Sequence, residues 1–289
     1  MFLLLTQSIS HLASINLITQ FLLFGLIVCW PIWKTGRLSY VDIGWPWGLV
    51  CIGVLTLILS DGYYWRVRII GGVYIFIGLR MGLGALQLWR KGFMQKEFPR
   101  YQYQRLRWER QKKTNVQLAM QVDALTQGMA NASFLALPAF IIGTNPDPTF
   151  SILEYIGILL WVMAFVFEAT ADVQKLSFLR KMSALNQKNK VCDIGLWKYS
   201  RHPNYFAEWM VWNALILMAI PSWIGLRSHE PLMIWVLLGI GLLFVSRLMY
   251  LSLVYLTGAK PSEYYSFKKR PDYKAYQKRV NMFFPGMPK

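Results

Sequence analysis

Residues 201–226 read RHPNYFAEWMVWNALILMAIPSWIGL, a polar and basic start that runs directly into an apolar stretch. An apolar stretch of about 20 residues is long enough to cross a bilayer core as a helix. Ionisable groups at that depth cost roughly 2.5–3.5 kcal/mol each on insertion scales, so Arg201, His202 and Glu208 are expected to have a function. Pro203 suits the first turn of a helix, whose free N–H groups and dipole favour an anion. The stretch therefore predicts a membrane helix that begins at a site for a charged ligand.

Six further runs are also apolar and long enough to span a membrane, and hydrophobic residues make up 55% of the sequence. That share is high for a soluble enzyme. The chain has no Ser/Gly-rich linker and no convincing internal repeat. We therefore expect an all-α polytopic membrane protein, a single membrane domain over residues 1–289 with a cytosol-facing cofactor cavity. The seven predicted spans are residues 14–33, 40–60, 66–89, 115–142, 151–171, 204–226 and 231–257.

The net charge of +17 is concentrated in three segments. Of the 31 Lys and Arg residues, 24 lie in 90–113, 174–203 and 258–289. A seven-helix arrangement places these segments on one side of the membrane, which is the positive-inside pattern. The prediction is an N-terminus outside and a C-terminus in the cytosol, in a bacterial inner membrane rather than the endoplasmic reticulum. Because orientation accounts for the charge, we expect membrane lipids as partners, no nucleic acid, and a monomer.

Three cysteines and three histidines limit the chemistry that the chain can carry. Cys29, Cys51 and Cys192 show no paired spacing, so no disulfide framework is expected. No HExxH or Cys/His zinc spacing occurs, and no metal site is predicted. The chain also lacks a GxGxxG sequence after a strand and a Walker A sequence. A bound nucleotide is therefore not expected to be held by a Rossmann domain or a P-loop.

Asn204, Glu208 and Trp212 are spaced i, i+4 and i+8, so they share one face of the predicted sixth helix. An amide and an acid can hydrogen-bond the edge of a planar heteroaromatic ring while an indole covers its face. The alternative is an ordinary helix start with interfacial aromatic residues and a salt bridge of the Arg201–Glu208 type. The ligand interpretation is favoured, and it extends to the neighbouring residues Tyr199, Arg201, His202 and Tyr205.

Glu168, Asp172 and Lys175 share a face at the end of the fifth predicted span. Carboxylates at this position suit ribose hydroxyls, and Lys175 or Arg180 suits a phosphate. The alternative is a solvated helix end that cations anchor at the lipid headgroups. We favour the binding role.

Arg80 lies well inside an apolar segment and should need an anionic partner or ligand. Asp42 lies beside Trp45 and Trp47 near the end of the second span, where desolvation favours the protonated acid. Such an acid could polarise a carbonyl or donate a proton, and it could equally be the charge partner of Arg80. The Arg100-Tyr101 pair belongs to the same set of candidates.

Two motifs of the chain resemble those of the bacterial steroid 5-alpha-reductase-like membrane proteins. They are Ala171-Asp172-x-Gln174-Lys175 and Cys192-Asp193-x-Gly195-Leu196-Trp197-x-Tyr199-Ser200-Arg201-His202-Pro203-Asn204-Tyr205-Phe206-x-Glu208. Arg100-Tyr101 and Arg270-Pro271-Asp272-Tyr273-x-x-Tyr276-Gln277 are similar too. The resemblance covers about residues 40–285. It implies an NADPH-dependent oxidoreductase acting on CH–CH groups, which transfers hydride to the activated C=C bond of a steroid-like or other lipid enone entering from the bilayer.

The resemblance also assigns roles to particular residues. Asn204 and Glu208 would hold the nicotinamide amide with Trp212 close to the ring, and Asp42 would stand in for the Gln-Glu pair of the animal enzymes. Ile77 stands where those enzymes have a tyrosine. Asp42 and Glu208 are the expected catalytic residues. The expected cofactor-binding residues are Arg80, Arg100, Tyr101, Glu168, Asp172, Lys175, Arg180, Lys190, Tyr199, Arg201, His202, Asn204, Tyr205, Glu208, Trp212, Tyr265 and Lys269.

A second family shares part of the pattern. Isoprenylcysteine carboxyl methyltransferases and related phospholipid methyltransferases are similar in having Arg-His-Pro-x-Tyr before a helix and a tyrosine-rich tail. That resemblance implies S-adenosylmethionine as the cofactor in the same region. Asn204 and Trp212 favour the reductase. A lipid-binding or transporter-like protein without catalytic activity is the third possibility.

Overall fold

A computed structural model describes residues 7–187 and 189–289, without the side chain of Gln7. The described residues form helices and no strand. The α-helices, numbered in chain order, are α1 (Gln7–Leu22), α2 (Trp30–Thr35), α3 (Val41–Leu59), α4 (Tyr64–Arg90), α5 (Pro99–Arg110), α6 (Val116–Ala132), α7 (Leu137–Gly143), α8 (Ile152–Ala184), α9 (Pro203–Gly225), α10 (Leu232–Leu251), α11 (Ala259–Lys269) and α12 (Tyr273–Arg279).

Seven helical segments of the described chain are long and apolar enough to cross a membrane. The expectation of an all-α, multi-pass membrane protein is therefore confirmed. Most ends agree with the predicted spans within a few residues, but the fifth and seventh segments continue as helices into polar sequence. The segments are Ser8–Thr35, Leu38–Leu59, Tyr64–Arg90, Val116–Gly143, Ile152–Ala184, Pro203–Ser228 and Leu232–Lys269.

The fourth segment is the most polar of the predicted spans, and its polar side chains have partners. Gln121 Nε2 donates to the carbonyl of Cys29 at 3.2 Å, at the end of the π-helical turn Leu23–Cys29. Gln117 Nε2 donates to the carbonyl of Trp33 at 3.1 Å. Asp123 accepts from Gln127 at 2.8 Å. Because buried polar groups cost little once they are hydrogen-bonded, these residues are compatible with a spanning helix.

The described residues divide into two compact units, and each draws on distant parts of the sequence. Unit 1 comprises the described part of Met1–Tyr155 together with Ile216–Val245. Within it α3 and α4 pack backbone against backbone. A Cβ atom at Gly53 would lie 2.6 Å from the carbonyl oxygen of Gly71, and one at Gly78 would lie 2.6 Å from that of Pro46. Glycine at these positions permits the close approach that membrane helices use.

Unit 2 comprises the described residues of Ile156–Leu215 and Ser246–Lys289. It contains most of α8, the first half of α9, the last residues of α10, and α11 and α12. Its buried cluster is formed by Tyr273, Tyr276 and Val280, with Val191 packed against them. The connection from α8 to α9 and the C-terminal helices therefore form one body. Whether both units form a single domain stays a prediction.

Candidate functional site

Asn204 is the second residue of α9, and its side-chain amide is only half satisfied. Its Nδ2 donates to Oδ1 of Asp172 on α8 at 3.1 Å. Because a carboxylate only accepts, this contact fixes which end of the amide carries the oxygen. That oxygen, Asn204 Oδ1, is buried and has no hydrogen-bond partner among the described residues. A buried unsatisfied acceptor costs about 1–3 kcal/mol, so this position suits a ligand that supplies an N–H group.

A pocket of about 270 Å³ opens beside Asn204, and all of its lining residues belong to unit 2. Its size is near the lower end of the range for small-molecule sites, roughly 300–1,000 Å³. Aromatic and cationic side chains dominate the lining, which suits an anionic ligand with ring systems. The lining residues are Lys175, Val191, Cys192, Trp197, Arg201, His202, Asn204, Tyr205, Ser262, Ser266, Arg270, Tyr273 and Tyr276.

Two cations of the pocket have no acidic partner. The Lys175 ammonium lies 4.1 Å from the centroid of the Trp197 ring, and Arg270 Nη1 donates to Ser266 Oγ at 2.7 Å. Among the residues that the structure describes, no carboxylate lies within ion-pair distance of either cation. Two positive charges without a counter-charge in one concave site attract an anion.

Glu263 on α11 neutralises the other two basic residues of the lining. Its carboxylate accepts from Arg201 Nε at 2.6 Å and Arg201 Nη2 at 3.1 Å, and it lies 3.2 Å from His202 Nε2. Arg201 Nη1 also donates to the carbonyls of Gln277, at 3.1 Å, and Val280. Four of the five N–H donors of Arg201 are thus used within the protein, and Arg201 fastens the C-terminal helices to the start of α9.

His202 is 7% exposed and its ring stacks on Tyr205, with centroids 5.3 Å apart. Burial lowers the pKa of His202 below its ordinary value, and the hydrogen bond that the ring makes to the Glu263 carboxylate acts in the opposite direction. With the ring enclosed in this way, His202 forms part of the pocket wall.

The segment before α9 is held in place by local contacts around Trp197. Trp197 Nε1 donates to the carbonyl of Ala171 at 2.9 Å, and Tyr276 Oη donates to the carbonyl of Trp197 at 2.5 Å. Gly195 has φ +53°, and a Cβ atom there would lie 2.4 Å from Gln174 Oε1, which accepts the N–H of Leu196. The Gly-Leu-Trp sequence therefore builds the wall on which Lys175 rests.

A known protein family matches most of the chain, including the residues of the pocket. The family described as Protein of unknown function (DUF1295) matches residues 27–280. The chain belongs to the DUF1295 family. This is the steroid 5-alpha-reductase-like family, so the resemblance of the motifs is confirmed at that level.

One curated relative is an uncharacterized protein of Schizosaccharomyces pombe, strain 972, which is 26% identical over 170 residues. The match covers 53% of this chain and 45% of the yeast protein, so the chain spans about half the length of that relative. No solved structure matches the chain.

Five of the expected cofactor-binding residues of this DUF1295 protein line the pocket. They are Lys175, Arg201, His202, Asn204 and Tyr205. Asp172 contacts the pocket through Asn204. The other expected residues of unit 2 lie outside the lining: Arg180, Lys190, Tyr199 and Lys269 are exposed, Tyr265 and Glu208 are half-buried, and Glu168 and Trp212 are buried deeper in their helices.

The sequence analysis missed Glu263 as the partner of Arg201, and the predicted Arg201–Glu208 alternative is wrong. Cys192, Trp197, Ser262 and Ser266 were not predicted as binding residues, whereas Arg270, Tyr273 and Tyr276 belong to the C-terminal motif that the sequence analysis singled out. A signal for Glu263 existed, because it is the only acid of α11 in a segment rich in cations. The pocket-lining serines and Cys192 carry no comparable signal. Burial raises the pKa of the Cys192 thiol, while Lys175 opposes that shift.

The remaining expected residues, Asp42, Arg80, Arg100 and Tyr101, belong to unit 1. Asp42 accepts from Arg100 Nη2, and from Tyr101 Oη at 2.5 Å. The partners of Asp42 are therefore Arg100 and Tyr101, and not Arg80 as the alternative suggested. Burial raises the pKa of Tyr101 well above its ordinary value, and Asp42 adds to this shift. The phenol therefore stays protonated and donates a hydrogen bond to Asp42. These contacts make Asp42 a carboxylate acceptor.

Proposed function

We propose that this DUF1295 protein binds NADPH in the pocket of unit 2 and reduces an activated C=C bond of a steroid-like or other lipid enone. The observation that carries the proposal is the buried Asn204 oxygen, which has no partner among the described residues and belongs to a residue that lines a pocket with two un-neutralised cations. NADPH has a carboxamide that donates N–H groups and phosphates that carry negative charge. Both features of the ligand match groups of this pocket.

The residues of unit 2 have distinct parts in this proposal. Asp172 fixes the Asn204 amide so that its oxygen accepts an N–H of the nicotinamide carboxamide. Lys175 and Arg270 attract the phosphates. Tyr273 and Tyr276 supply aromatic surface, and the start of the 23-residue helix α9 favours an anion nearby. When bound, NADPH supplies the hydride.

The charge of the pocket favours NADPH over the methyl donor. S-adenosylmethionine carries a sulfonium and an ammonium against a single carboxylate, so it brings net positive charge to a site where Lys175 and Arg270 are already un-neutralised. Like charges at short range repel. The relation to isoprenylcysteine and phospholipid methyltransferases is therefore kept as an alternative that the binding experiment distinguishes.

Asp42 was expected to supply the proton of the reduction. Since Arg100 and Tyr101 each engage one of its two carboxyl oxygens, Asp42 is not proposed as the proton donor. Glu208 remains in the proposal as a predicted neighbour of the carboxamide, on the same face of α9 as Asn204.

We also propose an orientation of the protein in its membrane and a cellular location. The basic segments support a cytosolic C-terminus and an N-terminus outside, with unit 2 binding its cofactor from the cytosol. The lipophilic substrate would enter from the bilayer, in a bacterial inner membrane, and the protein would act as a monomer.

Titration of the detergent-solubilised protein with NADPH, followed by cofactor fluorescence, tests the proposal. We expect saturable binding, and about tenfold weaker binding by Asn204→Ala because one hydrogen bond to the ligand is lost. Asn213→Ala removes the side-chain amide of another asparagine in α9, so it is the matched control and should bind NADPH as the wild type does. Absence of NADPH binding together with clear binding of S-adenosylmethionine would reject the reductase and support the methyltransferase.

A further inference from the structure

Lys175 and Arg270 are two pocket cations that no carboxylate of the described residues neutralises. Each is held at one point only, Lys175 by the face of Trp197 and Arg270 by the hydroxyl of Ser266. Most of their N–H donors are therefore available to a ligand. Arg201 is different, because Glu263 and two backbone carbonyls engage four of its five donors.

The two cations line the same pocket, and like charges in one site repel one another. A bound anion that touches both would relieve the repulsion. A single charge would compensate only half of it, whereas a group with two negative charges matches the pair.

The size of the pocket indicates which group of the cofactor this is. Asn204, Lys175 and Arg270 line the same space of about 270 Å³. An anion that reaches both cations must therefore lie close to the ligand group that hydrogen-bonds the Asn204 side chain. In a nicotinamide dinucleotide the diphosphate is the anion nearest to the nicotinamide, and the 2′-phosphate lies beyond it on the adenosine ribose.

We infer that Lys175 and Arg270 form a diphosphate-binding site, and that they do not select the 2′-phosphate of NADPH over NADH. This inference rests on the proposed function for the identity of the cofactor. The anion site itself follows from the charges and the pocket alone. The ligand chemistry is an organic diphosphate, and inorganic pyrophosphate is the smallest probe for it.

The test compares Lys175→Met and Arg270→Gln with the wild type in detergent. Each substitution should weaken NADPH and NADH by the same factor, tenfold or more, because a charge-assisted hydrogen bond is lost. Pyrophosphate should compete with NADPH for the wild type and lose this ability in both variants. Lys175→Arg retains the charge and should restore most of the affinity.

Lys278→Met and Arg110→Gln remove exposed cations elsewhere and serve as matched controls with unchanged binding. Thermal unfolding of each variant shows whether it is folded. A loss of NADPH affinity with unchanged NADH affinity would overturn the inference, since the cations would then contact the 2′-phosphate. Unchanged affinity for both cofactors in the two folded variants would also overturn it.

Asn204→Ala separates the inference from the proposed function. It should weaken NADPH and leave direct pyrophosphate binding intact, since the amide does not contact the phosphates. Wild-type protein that binds pyrophosphate through Lys175 and Arg270 but binds neither dinucleotide would reject the reductase proposal while supporting the anion site.

Discussion

Arg66 of unit 1 and Lys175 of unit 2 are both cations of long, apolar helices, but their surroundings differ. Arg66 is 2% exposed, and its guanidinium binds the Glu154 carboxylate at 2.6 and 3.0 Å and the carbonyl of Thr149. Lys175 lines an open pocket and has an indole face in place of a carboxylate. A buried charge that a carboxylate neutralises stabilises or positions the fold, whereas a charge that the protein leaves un-neutralised is available to a ligand.

The contrast holds within unit 2 as well. Arg201 and Arg270 line the same pocket, but Glu263 neutralises only Arg201. The residue type and the pocket are the same, so the Glu263 carboxylate and two backbone carbonyls separate a structural arginine from one that can bind an anion.

Breaking the ion pair of unit 1 should give the largest effect. Glu154→Gln leaves Arg66 buried without a counter-charge, and we expect a loss of about 3–5 kcal/mol in the free energy of unfolding. The measurement is thermal and denaturant unfolding in detergent. The double variant Arg66→Met with Glu154→Leu should recover most of the loss, because it leaves no unpaired charge. A single variant as stable as the wild type would contradict the structural role of this pair.

Removing the Glu263 carboxylate of unit 2 should lower the free energy of unfolding somewhat less. Glu263→Gln removes the negative charge that neutralises the buried Arg201 guanidinium, and we expect a loss of about 3 kcal/mol in unfolding free energy. Faster limited proteolysis after residue 258 would report release of α11 and α12. The control is Asp193→Asn, which removes the exposed ion pair with Arg279 and should change stability by less than about 1 kcal/mol. Equal effects of the two substitutions would remove the distinction between them.

A change in the wall beneath Lys175 should have a moderate effect. Gly195→Ala introduces a Cβ atom 2.4 Å from Gln174 Oε1 at φ +53°, so we expect a loss of about 1–2 kcal/mol in stability and weaker NADPH binding. Gly72→Ala is the control, because a Cβ atom there meets nothing within 4 Å in the middle of α4. The prediction fails if the two alanine variants unfold at the same temperature.

Acidification should have the smallest effect. Burial lowers the pKa of His202 in the folded protein, so the unfolded chain takes up the proton more readily. The contribution of the neutral His202 ring to the free energy of unfolding is fully present above the ordinary histidine pKa of about 6.5. It is lost as the pH falls below that value. Unfolding temperatures measured between pH 7.5 and 5.5 should fall slightly for the wild type. His202→Gln should reduce this slope, and an unchanged slope would assign it to another group.

Hydrophobic run length predicts the membrane segments well, because crossing a bilayer core requires a fixed length of apolar helix whatever its neighbours are. The fifth segment extends beyond its prediction because α8 continues without interruption through polar sequence to Ala184. The seventh extends because α10 is followed by the π-helical turn Ser252–Leu256 and, after a bend at residues 257–258, by the polar helix α11. The helical spacing of the motif also places Asn204 correctly, on the first turn of α9 beside Asp172. These features depend on neighbours within a few positions along the chain.

The partners of the charged groups were predicted less well. Arg201 was expected at a ligand and binds Glu263, 62 positions away, and Asp42 binds Arg100, 58 positions away. Local pattern carries no information about pairs at that separation, whereas the energy of a charge depends on what lies within a few ångströms of it. The order of residues thus established a seven-span helical membrane protein with a polar helix start at Asn204. Packing of distant segments then established which of its cations are neutralised and which are left for a ligand.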